Sequence, residues 1–179
     1  MRCFISIDLS EEAQKELETV QHAIFEDAIL LNVKPENIHL TLKFFGEIDS
    51  KKIESVKNAL AGLKIKKFKA RLGNIGVFPD YHFIRVVWAG IEPHETINEI
   101  HKSLELCLGK LGFQFDSVFE SHATISRVKG VKNKEMFIEK LKKIQLNPVE
   151  FDVESIKLKK SELTREGPVY EDLFELKLV

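Results

Sequence analysis

Residues 38–47, IHLTLKFFGE, place His39 and Thr41 two positions apart in an alternating apolar run, and residues 120–129, ESHATISRVK, repeat that spacing with His122 and Thr124. Successive side chains of a strand point to opposite faces, so residues i and i+2 project together. On the first stretch Ile38, Leu40, Leu42 and Phe44 form the face to be buried, which leaves His39, Thr41 and Lys43 on the other. On the second, Ala123 and Ile125 turn inward and His122, Thr124 and Ser126 share the opposite side. Brought together, the two strands would surround one small site with two imidazoles and two hydroxyls. Histidine, with an ordinary pKa near 6.5, can be poised in either protonation state near neutrality, so this constellation suits acid–base chemistry on a phosphate ester.

The surrounding chain repeats as well. Residues 2–8, RCFISID, read as a strand, Ser10 as a helix cap, and Ala13, Leu17, Val20, Ile24 and Ala28 as the stripe of a helix from Glu11 to about Ile29. Pro35 and Asn37 break the chain before the first HxT strand, which Gly46 ends. Asp49 or Ser50 caps a second helix with Ile53, Val56, Leu60 and Leu63 inward, and a strand from about Lys66 to Val77 follows, closed by Pro79. The order then recurs. A strand starts at His82, and Pro93 opens a helix with Ile97, Ile100, Leu104, Leu108 and Leu111 on its stripe, ended by Gly112. The second HxT strand comes next, then a helix capped by Asn133 with Phe137, Leu141 and Ile144 inward, and a long strand from Pro148 to about Lys160. A final strand, 168–179, has no counterpart in the first half.

This pattern predicts a single two-lobed domain, 1–179, with repeat units 1–80 and 81–160 packed about a pseudo-twofold axis. Its class is α+β: mostly antiparallel sheet, helices outside, and an active cleft between the lobes. His94 and Thr96 also carry the HxT spacing, but they follow Pro93 in the first turn of a helix, where i and i+2 diverge around the axis.

Composition bounds the rest. With 44% hydrophobic and 31% charged residues the chain reads as soluble and globular, and a net charge of -1 argues against a broad, sequence-blind grip on nucleic acid. The lysine runs KIKKFKAR (64–71), KLKK (140–143) and KLKK (157–160) read as solvated faces. Cys3 and Cys107 lack metal-ribbon spacing and read as packing residues, and the short apolar run near the N-terminus is broken by Asp8. These features predict a cytoplasmic protein without a membrane segment, for which a monomer suffices. Two histidine nitrogens, with no Asp, Glu or Cys on the same strand faces, fall short of the three or four ligands zinc prefers, so no metal or cofactor is expected.

The stretches HLTLKFFGE and HATISR, the N-terminal Arg2 and Phe4, the RVVWAG strand at 85–90 and the tail SELTREGPVY, with Ser161, Gly167 and Tyr170, together resemble the LigT-like branch of the two-histidine (2H) phosphoesterases. The resemblance covers nearly the whole chain. It implies an RNA 2′,3′-cyclic phosphodiesterase (2′-5′ RNA ligase) that opens cyclic phosphate ends to 2′-phosphomonoesters without a metal and runs in reverse as a 2′-5′ ligation. It implies His39 as proton donor, His122 as proton acceptor, and Thr41 and Thr124 as phosphate-binding groups; the residues alone leave the two histidines interchangeable. Arg127 matches a family arginine that positions phosphate or water, and Lys43 is a further candidate phosphate contact. Arg127 lies five residues past His122 and has the wrong parity for its face, so a bulge or strand end must turn it inward. Ser121 stands where the family usually has proline. RNA or nucleotides with cyclic phosphate ends, tRNA halves among them, are the expected partners. The rival reading is a non-catalytic RNA- or nucleotide-binding module.

Overall fold

The computed structural model describes residues 1–116, 118–165 and 167–179. In chain order the elements are β1 (Arg2–Asp8), α1 (Glu11–Ile24), β2 (Ala28–Asn32), β3 (His39–Glu47), α2 (Ser50–Ala61), β4 (Phe68–Asp80), β5 (Phe83–Glu92), α3 (His94–Gly109), β6 (His122–Val131), α4 (Lys134–Lys143), β7 (Glu150–Val153), β8 (Ser155–Thr164) and β9 (Gly167–Lys177). The helices start where their capping residues stand. Ser10 Oγ accepts from Ala13 N at 3.2 Å, Asp49 Oδ1 from Lys52 N at 2.7 Å, and Asn133 Oδ1 from Met136 N at 3.1 Å. Each cap satisfies an otherwise orphaned first-turn donor and contributes about 1 kcal/mol.

All described strand pairs are antiparallel, in the order β7-β4-β5-β6-β3-β1-β8-β9, with β2 also on β6. The centre is the contact of the two HxT strands, where Leu40 of β3 pairs with Ala123 of β6. Outward from this pair, β1 corresponds to β5, β8 to β4 and β9 to β7, a pseudo-twofold arrangement. One sheet face buries Ile5, Ile7, Leu40, Leu42, Ala89, Ile91, Ala123 and Ile125 with the helix stripes Leu17, Val56, Leu60, Ile97, Leu104 and Phe137. At about 1.5–3 kcal/mol per large apolar side chain, this shared core joins the strands of both repeats.

Three expectations are corrected. The first helix stops at Ile24 rather than Ile29, and 28–32 instead forms β2, paired with β6. Pairing with an open sheet edge overrides the helical spacing of Ala28, and the AILL run suits a strand as well as a helix. The long strand expected from Pro148 to Lys160 is two strands: β7 pairs with β4 in one lobe, and after Glu154 the chain enters β8, beside β1 in the other. The repeats therefore exchange their last strands. The final strand, without a sequence counterpart, is matched in the sheet by β7, since both lie on the far side of equivalent strands. Both cysteines are free. No helix among the described residues is long and apolar enough to cross a membrane.

Candidate active site

The Leu40–Ala123 pair fixes the site. Its neighbours on the other sheet face are His39 and Thr41 on one strand and His122 and Thr124 on the other, so the pseudo-twofold axis passes between two HxT pairs. In an antiparallel ladder extended by one residue from this pair, the histidines are diagonal neighbours, with backbones about 7–8 Å apart. All four side chains are partly exposed.

The imidazoles are oriented alike. His39 Nδ1 lies 2.7 Å from Asn37 O and His122 Nδ1 lies 2.8 Å from Glu120 O, in each case the carbonyl two residues earlier. A carbonyl only accepts, so both Nδ1 atoms carry hydrogen and both Nε2 atoms face the site. His39 Nε2 meets Thr41 Oγ1 at 3.0 Å. Asn37 also ties in the C-terminal hairpin, donating from Nδ2 to Pro168 O at 2.9 Å.

Aromatic rings wall both histidines. Phe4 stacks on His39 at 4.8 Å and Tyr170 meets it edge-on at 5.4 Å; Phe78 and Trp88 approach His122 at 4.9 and 5.8 Å. Burial among these rings disfavours the charged imidazolium and pushes both pKa values below the usual histidine range. At His39 the Asn37 carbonyl and the Asp8 carboxylate oppose that shift, while Lys159 and His122 add to it. At His122 only Glu120 opposes, through its carbonyl and its charge. Burial raises the Tyr170 hydroxyl, and the nearby Arg127 charge pulls it down.

Each HxT strand carries a bulge at the third residue past its histidine. Between β1 and β3 the register steps from Ser6–Thr41 to Ile5–Lys43, skipping Leu42; between β5 and β6 it steps from Trp88–Thr124 to Val87–Ser126, skipping Ile125. An extra residue inverts the facing of every later residue in the strand. Arg127 is thereby exposed on the histidine side, as its spacing required. The same inversion corrects three assignments. Ser126 is fully buried and donates to Asn32 Oδ1 at 2.7 Å instead of facing the site, and Phe44, expected inside, is 68% exposed. Lys43 is 4% exposed on the core side, so it does not line the histidine face. Its ammonium lies 2.7 Å from Glu105 Oε1 and 3.0 Å from Asp116 Oδ1, and donates to Gln114 O at 2.6 Å.

That cluster also bears on metals. His101, Glu105 and Asp116 place one ligand atom each within 4.8 Å of one another, a grouping that spacing alone did not reveal. Lys43 already supplies the cation between the two carboxylates, so the grouping is a closed charge network away from the histidines.

Two residues beside the threonines escaped sequence reasoning. Ser6 opposes Thr41 and Trp88 opposes Thr124, at equivalent places in the two lobes. Among the described residues, neither Ser6 Oγ nor Trp88 Nε1, both buried, has a hydrogen-bond partner. Applying the HxT repeat to the neighbouring strands would have singled out both. At Ser121, the position expected to be proline, the buried hydroxyl donates to Ile91 O at 2.9 Å and meets His94 Nδ1 at 2.5 Å, fixing the entry to β6 with side-chain bonds.

The fold and the sequence have clear relatives. The RNA 2′,3′-cyclic phosphodiesterase of Methanocaldococcus jannaschii is 38% identical over 178 residues, covering 98% of this chain and 99% of that protein. The protein of the same name from Methanothermobacter thermautotrophicus is 34% identical over 177 residues, covering 97% and 96%. Among solved structures, a Thermus thermophilus protein superposes with a TM-score of 0.84 at 28% identity over 99% of this chain and 98% of that one. E. coli LigT complexed with 3′-AMP gives 0.77 at 23% identity, over 99% and 97%, and so shares the fold. Residues 7–88 and 90–170 match the LigT like phosphoesterases, and the chain belongs to that family.

Proposed function

We propose that this protein hydrolyses 2′,3′-cyclic phosphate ends of RNA to 2′-phosphomonoesters, with His39 as proton donor and His122 as proton acceptor. The observation that carries the reading is the matched orientation of the two histidines about the Leu40–Ala123 pair, each with Nδ1–H bound to a carbonyl and Nε2 facing the same space. The relatives named above bear that activity in their names.

Opening a cyclic phosphodiester takes one proton from water and gives another to the departing oxygen. His122 Nε2 accepts the water proton as the new P–O bond forms. The P–O3′ bond breaks on the opposite side, and His39 Nε2–H protonates O3′, leaving a 2′-phosphate and a free 3′-hydroxyl. A group poised on each side of phosphorus supports such in-line displacement. Each histidine has one carboxylate that favours its protonated form, Asp8 at His39 and Glu120 at His122, so the choice of His39 as the acid follows the family resemblance. With substrate bound, the Thr41 and Thr124 hydroxyls donate to the two non-bridging oxygens, which leaves His39 Nε2–H for O3′, and Arg127 offsets charge growing on phosphate. With a 5′-hydroxyl in place of water as the nucleophile, the same groups form a 2′-5′ bond as P–O3′ breaks.

The chemistry needs only these side chains, so activity is expected to survive EDTA. The test is incubation with 2′,3′-cyclic CMP and with a cyclic-phosphate RNA end, following the new phosphomonoester by phosphorus NMR. His39→Ala and His122→Ala are each expected to lose about 10²–10⁴-fold in kcat. Activity within tenfold of wild type in both variants, or an EDTA loss that zinc restores, overturns the mechanism.

A further inference from the structure

The two ends of the histidine face differ in how their cations are held. On the His39 side, Lys157 lies 2.9 Å from Asp8 and 2.8 Å from Asp172, Lys159 lies 2.9 and 3.0 Å from the same carboxylates, and Lys160 lies 3.2 Å from Glu171. The charge of these three lysines is neutralised within the protein. On the His122 side, Arg127 and Lys129 continue outward along β6, Arg85 stands on β5 and Lys134 opens α4; all four side chains are exposed or half-exposed. Among the described residues none of the four has a carboxylate within 4.0 Å.

Apolar groups interleave with these cations. Phe83 is 57% exposed, with the Arg85 guanidinium 4.3 Å from its ring centre. Across β6, Leu31 of β2 pairs with Arg127 and is 55% exposed, so the row Val86–Arg127–Leu31 crosses three strands just past the site. Beyond it, Phe83, Arg85, Lys129 and Lys134 line a shallow depression. From Thr124 to Lys129 the track runs about 17 Å along β6.

We propose that this uncompensated strip is a docking track for single-stranded RNA, which carries the nucleotides on the 5′ side of the cyclic phosphate away from the site. The inference rests on the cyclic phosphodiesterase reading and adds to it the surface along which the strand leaves the site. A terminal 2′,3′-cyclic phosphate leaves the strand only one way to go, so one exit is needed. The exit lined by unpaired cations suits a polyanion, and the one whose lysines are bound to aspartates does not. Exposed apolar surface between cations is what stacked bases require, whereas a purely acidic peptide would leave Phe83 and Leu31 uncovered.

The test compares the wild type with Arg85→Ala/Lys129→Ala and with the control Lys51→Ala/Lys102→Ala, which removes two exposed lysines from α2 and α3 on the far side of the sheet. One arm measures fluorescence anisotropy on a labelled ten-nucleotide RNA ending in a 2′-phosphate, across a salt series. The other measures hydrolysis of 2′,3′-cyclic CMP. The track variant is expected to bind the RNA about tenfold more weakly, and its log–log salt slope to shrink by about 1.4, or about 0.7 for each phosphate of a single strand that is no longer neutralised. Its cyclic CMP kinetics are expected to stay at the wild-type value, and the control to change neither measurement. RNA affinity within twofold of wild type, an unchanged slope, or an equal loss in the control overturns the track. Absence of cyclic CMP hydrolysis by the wild type sinks the catalytic reading instead, while the anisotropy arm still decides the track.

Discussion

Substituting Gly76 tests the packing that supports His122. Gly76 pairs with Trp88 across β4 and β5, and the indole lies flat over the place where a side chain would begin. A Cβ added at Gly76 would sit 2.2, 2.4 and 2.6 Å from three Trp88 ring atoms. Ordinary carbon–carbon contact is about 3.5–4.0 Å, so the ring must move by more than about 1 Å. Its neighbours on that side are Phe78, 4.9 Å away, and His122, 5.8 Å away, and Phe78 itself packs on His122 at 4.9 Å. Overpacking of this kind costs about 1–3 kcal/mol. For a chain of this length that is a fall in Tm of roughly 2–12 °C. Trp88 is the only tryptophan, so intrinsic fluorescence reports this one spot. Gly76→Ala is expected to melt lower, to shift its emission, and to lose at least about tenfold in kcat/KM, since a displacement near 1 Å can cost about 10²-fold. Adding Trp88→Phe should recover part of the stability as a pairwise coupling. A Gly76→Ala protein that melts with the wild type and keeps its emission maximum refutes the reasoning.

Burial lowers the pKa of both site histidines in the folded state, so between those values and about 6.5 the unfolded chain binds the protons that the folded one does not. Stability is therefore full above the unfolded value and falls with acidification through the lowered pKa values; thermal melts from pH 5 to 8 should show this, and His39→Gln/His122→Gln should flatten the slope. Lys43→Met leaves Glu105 and Asp116 without their cation and should cost about 3–5 kcal/mol in urea unfolding, with KM unchanged in the folded protein. A raised KM at full stability would instead restore Lys43 as a phosphate contact. Ser121→Ala removes the buried hydroxyl that donates to Ile91 O and should lower stability by about 1–3 kcal/mol, read from the urea midpoint at constant m.

The periodicities and caps that set β1, α1, α2, α3, α4 and the two HxT strands are local, and local signals can be read from one chain. What escaped depends on partners distant in sequence. Nothing in Ala28–Leu31 says that β6 has a free edge, and nothing at Glu154 says that the next residues belong beside β1. The bulges fall in the same class, with one difference. The bulge on β6 is fixed from several directions: Gln21, in α1, donates to Ile125 O at 2.9 Å, and Val33 N reaches the same carbonyl at 3.0 Å. Strict alternation cannot foresee such a clamp, yet it does expose a conflict, because Arg127 sits at odd spacing from His122 while matching a site position. Resolving that conflict by a bulge, and then applying the same bulge to the other half of the repeat, turns Phe44 outward and Lys43 inward. Both follow from the sequence once its two halves are required to share their irregularities as well as their periods. The unlike pair that results, Phe44 on one strand and Arg127 at the equivalent place on the other, adds to the differences between the lobes already seen at Ser6 and Trp88 and at Asp8 and Gly90.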